Sequence, residues 1–148
     1  MELARPVRDG DHAVCRRLLE ELLAGAHVLR GGVALAGPAT PETLLERWRE
    51  PAAQLLVGEF DGVVVGVLGV TTSVADDGRG RIEACYVERD ARGVGVGTAL
   101  MQAALAWCRD AGCHEVDAIA LPGDRATKQR LEAEGFTARL LTLSLRLD

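Results

Sequence analysis

The sequence predicts one α/β domain in which a mixed, mostly antiparallel sheet is flanked by about four helices. First, its 148 residues are enough to form one hydrophobic core. Second, strand-like and helix-like segments alternate along the whole chain. Third, a strand, a glycine-rich turn and an apolar helix follow one another between residues 81 and 108, which predicts a parallel crossover to the next strand. No linker or repeat interrupts this pattern, so residues 1–148 are predicted as a single domain.

Local signals mark the ends of the predicted elements. Asp11 is placed as the cap of the first helix and Gly25 as its stop. Thr40 is placed as the cap of the second helix, which has proline at its first position. Asp61-Gly62 predicts a hairpin, and its second strand is apolar on both faces, which predicts helices above and below the sheet. Strands are predicted at residues 2–8, 54–60, 63–72, 81–87, 114–121 and 137–147, and helices at residues 12–24, 41–50, 99–108 and 125–134.

The glycine turn, residues Arg92–Thr98, is the strongest candidate for a binding site. Its three glycines at alternate positions leave the backbone N–H groups uncovered, and the first N–H groups of the following helix point the same way. Together with the helix dipole, these donors favour a phosphate or diphosphate group. A P-loop would need lysine after the last glycine, and a dinucleotide fingerprint would need G-x-G-x-x-G; this chain has neither. A glycine-rich turn that binds nothing is the remaining alternative.

The order Arg92, Gly95 and Gly97 after a strand resembles the R-x-x-G-x-G coenzyme A motif of the GNAT N-acetyltransferase superfamily. The order of elements is similar to that superfamily over essentially the whole chain. The resemblance implies a sheet with a splayed central pair of parallel strands, and acetyl-CoA as cosubstrate without a metal. The strand before the turn would hold the pantetheine arm and the turn would wrap the diphosphate. The cofactor-binding residues implied are Cys85, Tyr86, Val87, Arg92, Gly93, Val94, Gly95, Val96, Gly97, Thr98 and Asp124.

A later motif of that superfamily is only partly present. Asp124 stands where the family has an asparagine that orients the pantetheine arm, and Thr127 and Arg130 replace its alanine and leucine. Asp124 can accept a hydrogen bond, and serving only as a helix cap is the equal alternative. Leu131 stands where the family has the tyrosine that protonates the departing thiolate, so the general acid is left open.

The implied reaction is direct attack of an amine on the thioester in a ternary complex. It needs a base for the amine and a donor for the developing oxyanion, for which a backbone N–H near Val87 is placed. Glu83 is the candidate base; its alternatives are a solvated strand residue or an ion pair. Tyr86 is a candidate acid, a substrate wall or a core residue, and strand alternation puts it on the other face from Glu83 unless a bulge intervenes. His27 and Arg30 lie on an irregular segment that borders the acceptor pocket in the family.

Composition restricts the partners. The net charge of −5, with no basic run interleaved with aromatics, argues against nucleic acid. No apolar run has membrane-spanning length, so a cytoplasmic location is predicted. The abundance of Ala, Arg, Gly, Leu and Val is typical of a bacterial coding sequence.

Cys15 and Cys108 are predicted as small core residues, and three scattered histidines favour no metal site. The leucine-rich last strand leaves a homodimer open.

Two functions from different classes follow from these observations. The first is an N-acetyltransferase that acts on the primary amine of a small molecule or of an amino terminus. The second is an acyl-CoA-binding regulatory or interaction module with weak catalysis, which Leu131 favours. A nucleotide-binding α/β domain is a third, weaker interpretation, in which ATP or NAD takes the place of coenzyme A.

Overall fold

A computed structural model describes residues 1–29, 37–73 and 78–147 of the chain. The described residues form five strands and four α-helices, in the order predicted up to residue 134. The strands are β1 (Glu2–Pro6), β2 (Ala53–Phe60), β3 (Val63–Thr72), β4 (Arg79–Val87) and β5 (Glu115–Ala118). The helices are α1 (His12–His27), α2 (Pro41–Arg47), α3 (Val96–Asp110) and α4 (Arg125–Ala133). None of these helices is long and apolar enough to cross a membrane.

The strands form one mixed sheet in the order β1-β2-β3-β4-β5. The neighbouring strands from β1 to β4 run antiparallel to each other, and β5 runs parallel to β4 after the crossover through α3. The predicted hairpin between β2 and β3 is confirmed, with φ of 49° at Asp61 and 83° at Gly62, the signs that a type I′ turn requires. The mixed α/β class and the parallel pair are therefore as predicted.

Two apolar cores lie on the two faces of the sheet. On one face α1 and α2 pack over Val57 and Val67, with Cys15 of α1 fully buried among them. On the other face α3 packs over Leu68 and Val70. Because β3 contributes to both cores, its continuous apolar sequence is explained, and the predicted helices above and below the sheet are confirmed.

Glycines in the sheet allow helices to come unusually near it. A Cβ atom at Gly58 would lie 2.5 Å from Cγ1 of Val96, and one at Gly66 would lie 3.0 Å from Cδ1 of Leu100. On the opposite face, a Cβ at Gly69 would lie 2.1 Å from the ring of Trp48. These separations are shorter than van der Waals contact, so a side chain at any of the three positions would displace its helix. The glycines therefore set the distance of α3 and α2 from the sheet.

Several predicted boundaries differ from the structure. α1 continues through Gly25 to His27, because a glycine inside a helix costs only about 1 kcal/mol relative to alanine and does not end it. The predicted cap of α2 is confirmed, since the Thr40 hydroxyl accepts a hydrogen bond from Thr43 N–H at 3.2 Å. β5 ends at Ala118, three residues before its predicted end. Arg30 lies outside the described residues.

The predicted last strand is wrong, because residues 137–147 have no strand structure. β5 is therefore the last strand of the described sheet, and the parallel pair lies at its edge and not at its centre. Five leucines of this segment are 74–89% exposed. Their alternation satisfies the sequence pattern of a strand, but a strand also needs a neighbour to pair with. The exposed leucines are Leu140, Leu141, Leu143, Leu145 and Leu147.

Asp11 precedes α1 as predicted, but its carboxylate is used elsewhere. It accepts hydrogen bonds from Arg5 Nη1 at 2.7 Å and from the backbone N–H of Arg8 at 2.7 Å. Arg5 also binds Glu59 on β2. This buried ion pair joins the end of β1 to the start of α1, which is a tertiary role that a capping pattern does not reveal.

Replacing Asp11 with asparagine should lower the free energy of unfolding at pH 7 by about 2 kcal/mol, since hydrogen bonds between charged groups contribute about 1.5–3 kcal/mol. The hydrogen bonds from Arg5 hold the pKa of the Asp11 carboxyl below its usual range, although burial opposes them. A folded-state pKa that is lowered gives stability above the unfolded-state pKa, and this stability is lost as the pH falls through the folded-state value. Urea unfolding of the parent and of Asp11→Asn, at pH 7 and below about pH 4, measures this effect. The difference between their free energies of unfolding should be smaller in acid.

Asp9→Asn is the matched control, because Asp9 is exposed and lies in the same short turn. We expect it to unfold like the parent at both pH values. A deficit for Asp11→Asn that stayed constant down to pH 2 would show that its carboxylate charge does not stabilise the fold.

Candidate functional site

A gap opens between the two parallel strands. β4 and β5 pair only from Arg79 with Glu115 to Ile82 with Ala118, and β4 then continues alone to Val87. Glu88 N–H binds the carbonyl of Val65 on β3. Because residues of an antiparallel ladder alternate in the direction of their backbone groups, those of Val87 and Cys85 point away from β3 into the gap. β4 therefore has an open edge beyond its paired stretch with β5, at the place where the resemblance implied that the two strands splay apart.

The backbone groups of Tyr86, unlike those of Cys85 and Val87, do not point into the gap. It pairs with Val67 of β3, and by the same alternation its backbone N–H and C=O are turned toward that strand. Of the three β4 residues predicted to hold a pantetheine arm, only Cys85 and Val87 offer backbone groups to the gap. The Val87 carbonyl already accepts a hydrogen bond from Arg92 Nε at 2.9 Å, so its N–H is the group left for a ligand.

The glycine turn stands at the mouth of this gap with its donors free. Gly93 and Gly95 have φ of 84° and 92°, in the left-handed region that favours glycine. Gly95 is the cap residue of α3 and its carbonyl accepts the first helical hydrogen bond, from Ala99. Among the residues that the structure describes, no carbonyl or side chain accepts a hydrogen bond from the N–H groups of residues 93–98. Six backbone donors at a helix N-terminus therefore remain available to an anion.

Two arginines lie against the glycine turn, and the sequence suggested a role for only one of them. Arg92 sits over the ring of Tyr86, 5.6 Å from its centroid. Arg130, from α4, lies on the other side: a Cβ at Gly97 would be 2.7 Å from its Cζ, and its Nη1 is 3.8 Å from Sγ of Cys85. The Arg130 guanidinium thus lies between the open stretch of β4 and the start of α3. Nothing local to the sequence of α4 marks Arg130, because its neighbours come from two distant elements.

A β-bulge places Glu83 and Tyr86 on the same face of the sheet. The register between β3 and β4 shifts so that Val70 pairs with Ile82 and Gly69 pairs with Ala84, which leaves Glu83 as the extra residue. Tyr86 and Glu83 therefore both face α1 and α2, whereas regular alternation predicts opposite faces.

The Glu83 carboxylate is held by three hydrogen bonds. Oε1 accepts from Arg47 Nε at 2.7 Å and from Trp48 Nε1 at 2.9 Å, and Oε2 accepts from Arg47 Nη2 at 2.6 Å. Burial alone would raise the pKa of Glu83, but the hydrogen bonds from Arg47 and Trp48 outweigh burial and lower it. A carboxylate has about four acceptor positions, so one position on Oε2 remains for a further donor. Glu83 therefore forms an ion pair with Arg47, which was one of the alternatives to a catalytic base. Its side chain is still 15% exposed.

A cleft of about 410 Å³ opens beside Glu83. It lies at the ends of β2, β3 and β4, and its charged lining has equal numbers of basic and acidic side chains. Within the described residues, this polar cleft lies directly beside the candidate base. The charged residues of the lining are Arg47, Glu50, Arg79, Arg81, Glu83 and Asp117.

Tyr86 is half-buried against the core beneath α1. Burial and the nearby carboxylate of Glu21 raise the pKa of its phenol, and the Arg92 guanidinium opposes this. A phenol with a raised pKa stays protonated at neutral pH, so Tyr86 keeps the proton that an acid needs. Tyr86 lies on the same face as Glu83 but does not line the cleft, and its packing is that of the core alternative.

The model of the acetyltransferase (GNAT) family matches residues 16–136. The chain belongs to the GNAT acetyltransferase family. The match includes the gap, the glycine turn and α4, so the resemblance stated from Arg92, Gly95 and Gly97 is confirmed. No curated protein matches the sequence.

Solved structures with the same fold cover nearly the whole chain. The tetramutant of the BH1408 protein from Bacillus halodurans has a TM-score of 0.78 at 14% identity, over 98% of this chain and 99% of that one. AAC(6')-Iy in complex with the bisubstrate analogue CoA-S-monomethyl-acetylneamine has a TM-score of 0.71 at 20% identity, over 99% of each chain. A transcriptional regulator from Bacillus halodurans C-125 has a TM-score of 0.66 at 20% identity, over 99% and 100%. At these identities the likeness shows a shared GNAT fold.

Within this GNAT fold, Asp124 acts as a helix cap. Its Oδ1 accepts from Thr127 N–H at 3.2 Å and its Oδ2 accepts from the Thr127 hydroxyl at 2.7 Å. Leu131, at the family's tyrosine position, is buried in the core beneath α3. Asp124 thus has the capping role that was one of its two alternatives. At residue 131, a buried leucine takes the place of the tyrosine that the family has there.

The remaining candidates lie away from the gap. His27 is the last residue of α1. Cys15 and Cys108 are buried core residues as predicted, and burial raises the pKa of each thiol to about 11. All four cysteines are free. In the described part of the chain, no group of three or more His, Cys, Asp or Glu could hold a metal ion.

Proposed function

We propose that this GNAT protein transfers an acetyl group from acetyl-CoA to the primary amine of a small molecule or of an amino terminus. The observation that carries the proposal is the set of free N–H groups at residues 93–98, next to the open backbone of Cys85 and Val87. A diphosphate at the turn and an extended arm along β4 would use both sets of donors. The structural neighbour AAC(6')-Iy, which was solved with a CoA-containing bisubstrate analogue, supports this cosubstrate and an amine acceptor.

In the proposed reaction, the neutral amine attacks the thioester carbonyl carbon. The C–N bond forms, the carbonyl oxygen takes up negative charge, and the C–S bond then breaks to release the coenzyme A thiolate. The N–H of Val87 points into the gap, where it can donate to the developing oxyanion. The proton lost by the amine passes to the free acceptor position on Oε2 of Glu83, directly or through water.

The departing thiolate has no phenol at residue 131 to protonate it, because Leu131 is buried and apolar. Tyr86 keeps its proton at neutral pH and is the candidate acid on the same face as Glu83. The second candidate function, an acyl-CoA-binding module, rests on Leu131 and on the ion pair that engages Glu83.

A two-step experiment separates the two functions. The first step measures the rise in melting temperature with acetyl-CoA, ATP and NAD. The second measures thiol release from acetyl-CoA with a panel of small amines and amino-terminal peptides. We expect stabilisation by acetyl-CoA alone and thiol release with at least one amine. Binding without turnover for any amine would support the module, and stabilisation by ATP or NAD alone would reject coenzyme A as the ligand.

Replacing Gly95 with glutamate should raise the Kd for acetyl-CoA by at least about 10-fold, equivalent to about 1.4 kcal/mol. A Cβ at Gly95 would lie 3.3 Å from Cδ of Glu2, so the new side chain would add a second carboxylate beside the glycine turn, where it would repel the diphosphate. Gly112→Glu is the matched control, because Gly112 has a φ of 85°, open space around it and a place at the far end of α3. Both variants should lose thermal stability through left-handed strain, and Gly95→Glu should lose more, because its side chain would also meet Glu2. Equal affinity of the two variants, measured by calorimetry, would contradict a diphosphate at this turn.

Replacing Arg130 with alanine should raise the Kd for acetyl-CoA by about 10-fold and leave the Kd for acetyl-pantetheine unchanged. The reason is that Arg130 adds a cation beside Gly97, where a diphosphate would lie, and acetyl-pantetheine lacks that group. Arg125→Ala, on the exposed face of the same helix, is the control and should bind both thioesters like the parent. A parallel loss of affinity for both thioesters would instead indicate a packing role for Arg130.

Replacing Glu83 with glutamine should lower kcat by at least about 100-fold, the usual contribution of a general base. The Kd for acetyl-CoA should stay within about twofold, because Glu83 lies on the other face of the sheet from Gly97 and Arg130. Glu50→Gln removes the same charge from the same cleft and should keep most of the parent's turnover. An unchanged kcat for Glu83→Gln in steady-state assays would remove Glu83 from the mechanism.

A further inference from the structure

The end of α3 brings the side chains of two cysteines together. Gly112, just after the helix, has a φ of 85°, and its N–H donates to the carbonyl of Arg109 at 3.0 Å. The N–H of Cys113 donates to the carbonyl of Cys108 at 2.9 Å. These two hydrogen bonds define the Schellman motif, in which the side chains at the two ends of the longer hydrogen bond usually pack together. Here both of those side chains are thiols.

Both sulfur atoms lie over the same glycine of the sheet. A Cβ atom at Gly80 would lie 2.7 Å from Sγ of Cys108 and 3.4 Å from Sγ of Cys113. Burial raises the pKa of the Cys108 thiol to about 11, and the Cys113 thiol beside it contributes to that rise. The two sulfurs are therefore neighbours, in a space that exists because residue 80 has no side chain.

The two thiols differ in their access to solvent. Cys108 is 1% exposed, whereas Cys113 is partly exposed. A thiol that solvent reaches can react with a dissolved disulfide, and a buried thiol can react only with a group that is already beside it. Cys113 is thus the thiol that a dissolved reagent meets first, and Cys108 is the thiol positioned to react next.

The other two cysteines lie too far away to compete. Cys15 is buried in the core on the opposite face of the sheet. Cys85 lies five residues along β4 from Gly80, about 16 Å in an extended strand. The arrangement therefore favours one pair of sulfurs out of the four cysteines.

We propose that Cys108 and Cys113 form a reversible disulfide by exchange with a small-molecule disulfide. The Cys113 thiolate attacks one sulfur of that molecule, forms a mixed disulfide and releases the first small thiolate. The Cys108 thiolate then attacks Sγ of Cys113, forms the intramolecular disulfide and releases the second small thiolate. The protein thiols lose two electrons and two protons in total, and the small disulfide takes up both and becomes two thiols.

The disulfide joins the last turn of α3 to the chain that enters β5. Cys108 lies in that turn, and Cys113 lies two residues before Glu115, where β5 begins. Closing the short loop between them removes conformational freedom from the unfolded chain, which stabilises the folded state. The pair is a covalent clamp on the crossover to the parallel strand, closed by oxidation. It is independent of the proposed acetyl transfer, because the glycine turn lies at the other end of α3.

The test treats the folded, reduced parent with oxidised glutathione, blocks the remaining thiols and digests the protein with trypsin. Trypsin cleaves after Arg109, so the two cysteines fall on separate peptides, residues 93–109 and 110–125. We expect mass spectrometry to find these two peptides joined by a disulfide that dithiothreitol breaks. The linked protein should melt about 5 °C higher than the reduced protein.

Cys113→Ser and Cys85→Ser are matched variants, because each removes one of the two partly exposed cysteines. Cys113→Ser should give neither the linked peptides nor the higher melting temperature, whereas Cys85→Ser should behave like the parent. A parent that keeps glutathione on Cys113, stays unmodified or links a different pair of cysteines would overturn the proposal. A linked parent that melts at a lower temperature would also overturn it, because the folded positions of the two sulfurs would then not fit the bond.

Discussion

The first turn of α3 rests directly on glycines of the sheet, and the candidate site depends on this contact. Gly58 and Gly66 leave no side chain between the sheet and Val96 or Leu100, so the helix begins within van der Waals distance of the strands. The left-handed turn at Gly95 then directs its free N–H groups toward the gap beside β4. A helix set further out by even one methyl group would carry these donors away from the open backbone of Cys85 and Val87.

The two faces of β4 have separate roles because of one bulge. Beyond the bulge, Cys85 faces α3 and is contacted by Arg130, whereas Tyr86 faces α1. Glu83, the bulged residue, is turned toward α2 and is held there by Arg47 and Trp48. A strand of nine residues thus borders the open gap on one side and a charged cleft on the other. In the reaction proposed above, the acyl donor would approach this strand from the gap and the amine from the cleft.

Features governed by neighbouring residues were predictable. The Asp61-Gly62 hairpin, the Thr40 cap and the glycine turn each need only a few residues in sequence to specify their backbone. Features that join distant elements were not: the ion pair of Arg47 with Glu83 spans 36 positions and the contact of Arg130 with Cys85 spans 45. The predicted last strand was wrong for the same reason, because alternation marks residues that can form a strand and says nothing about which edge receives them.

The sequence by itself determined the order of elements up to residue 134, the mixed sheet and the position of a glycine turn with free backbone N–H groups. Local propensity and apolar periodicity were enough, because they act over short stretches of chain. Only the tertiary structure decided which charges meet. It engaged Glu83 in an ion pair and brought Arg130 to the turn. Those contacts depend on how far α2 and α4 lie from the sheet and on a one-residue shift in the register of β3 and β4. No local sequence pattern specifies these distances or that register.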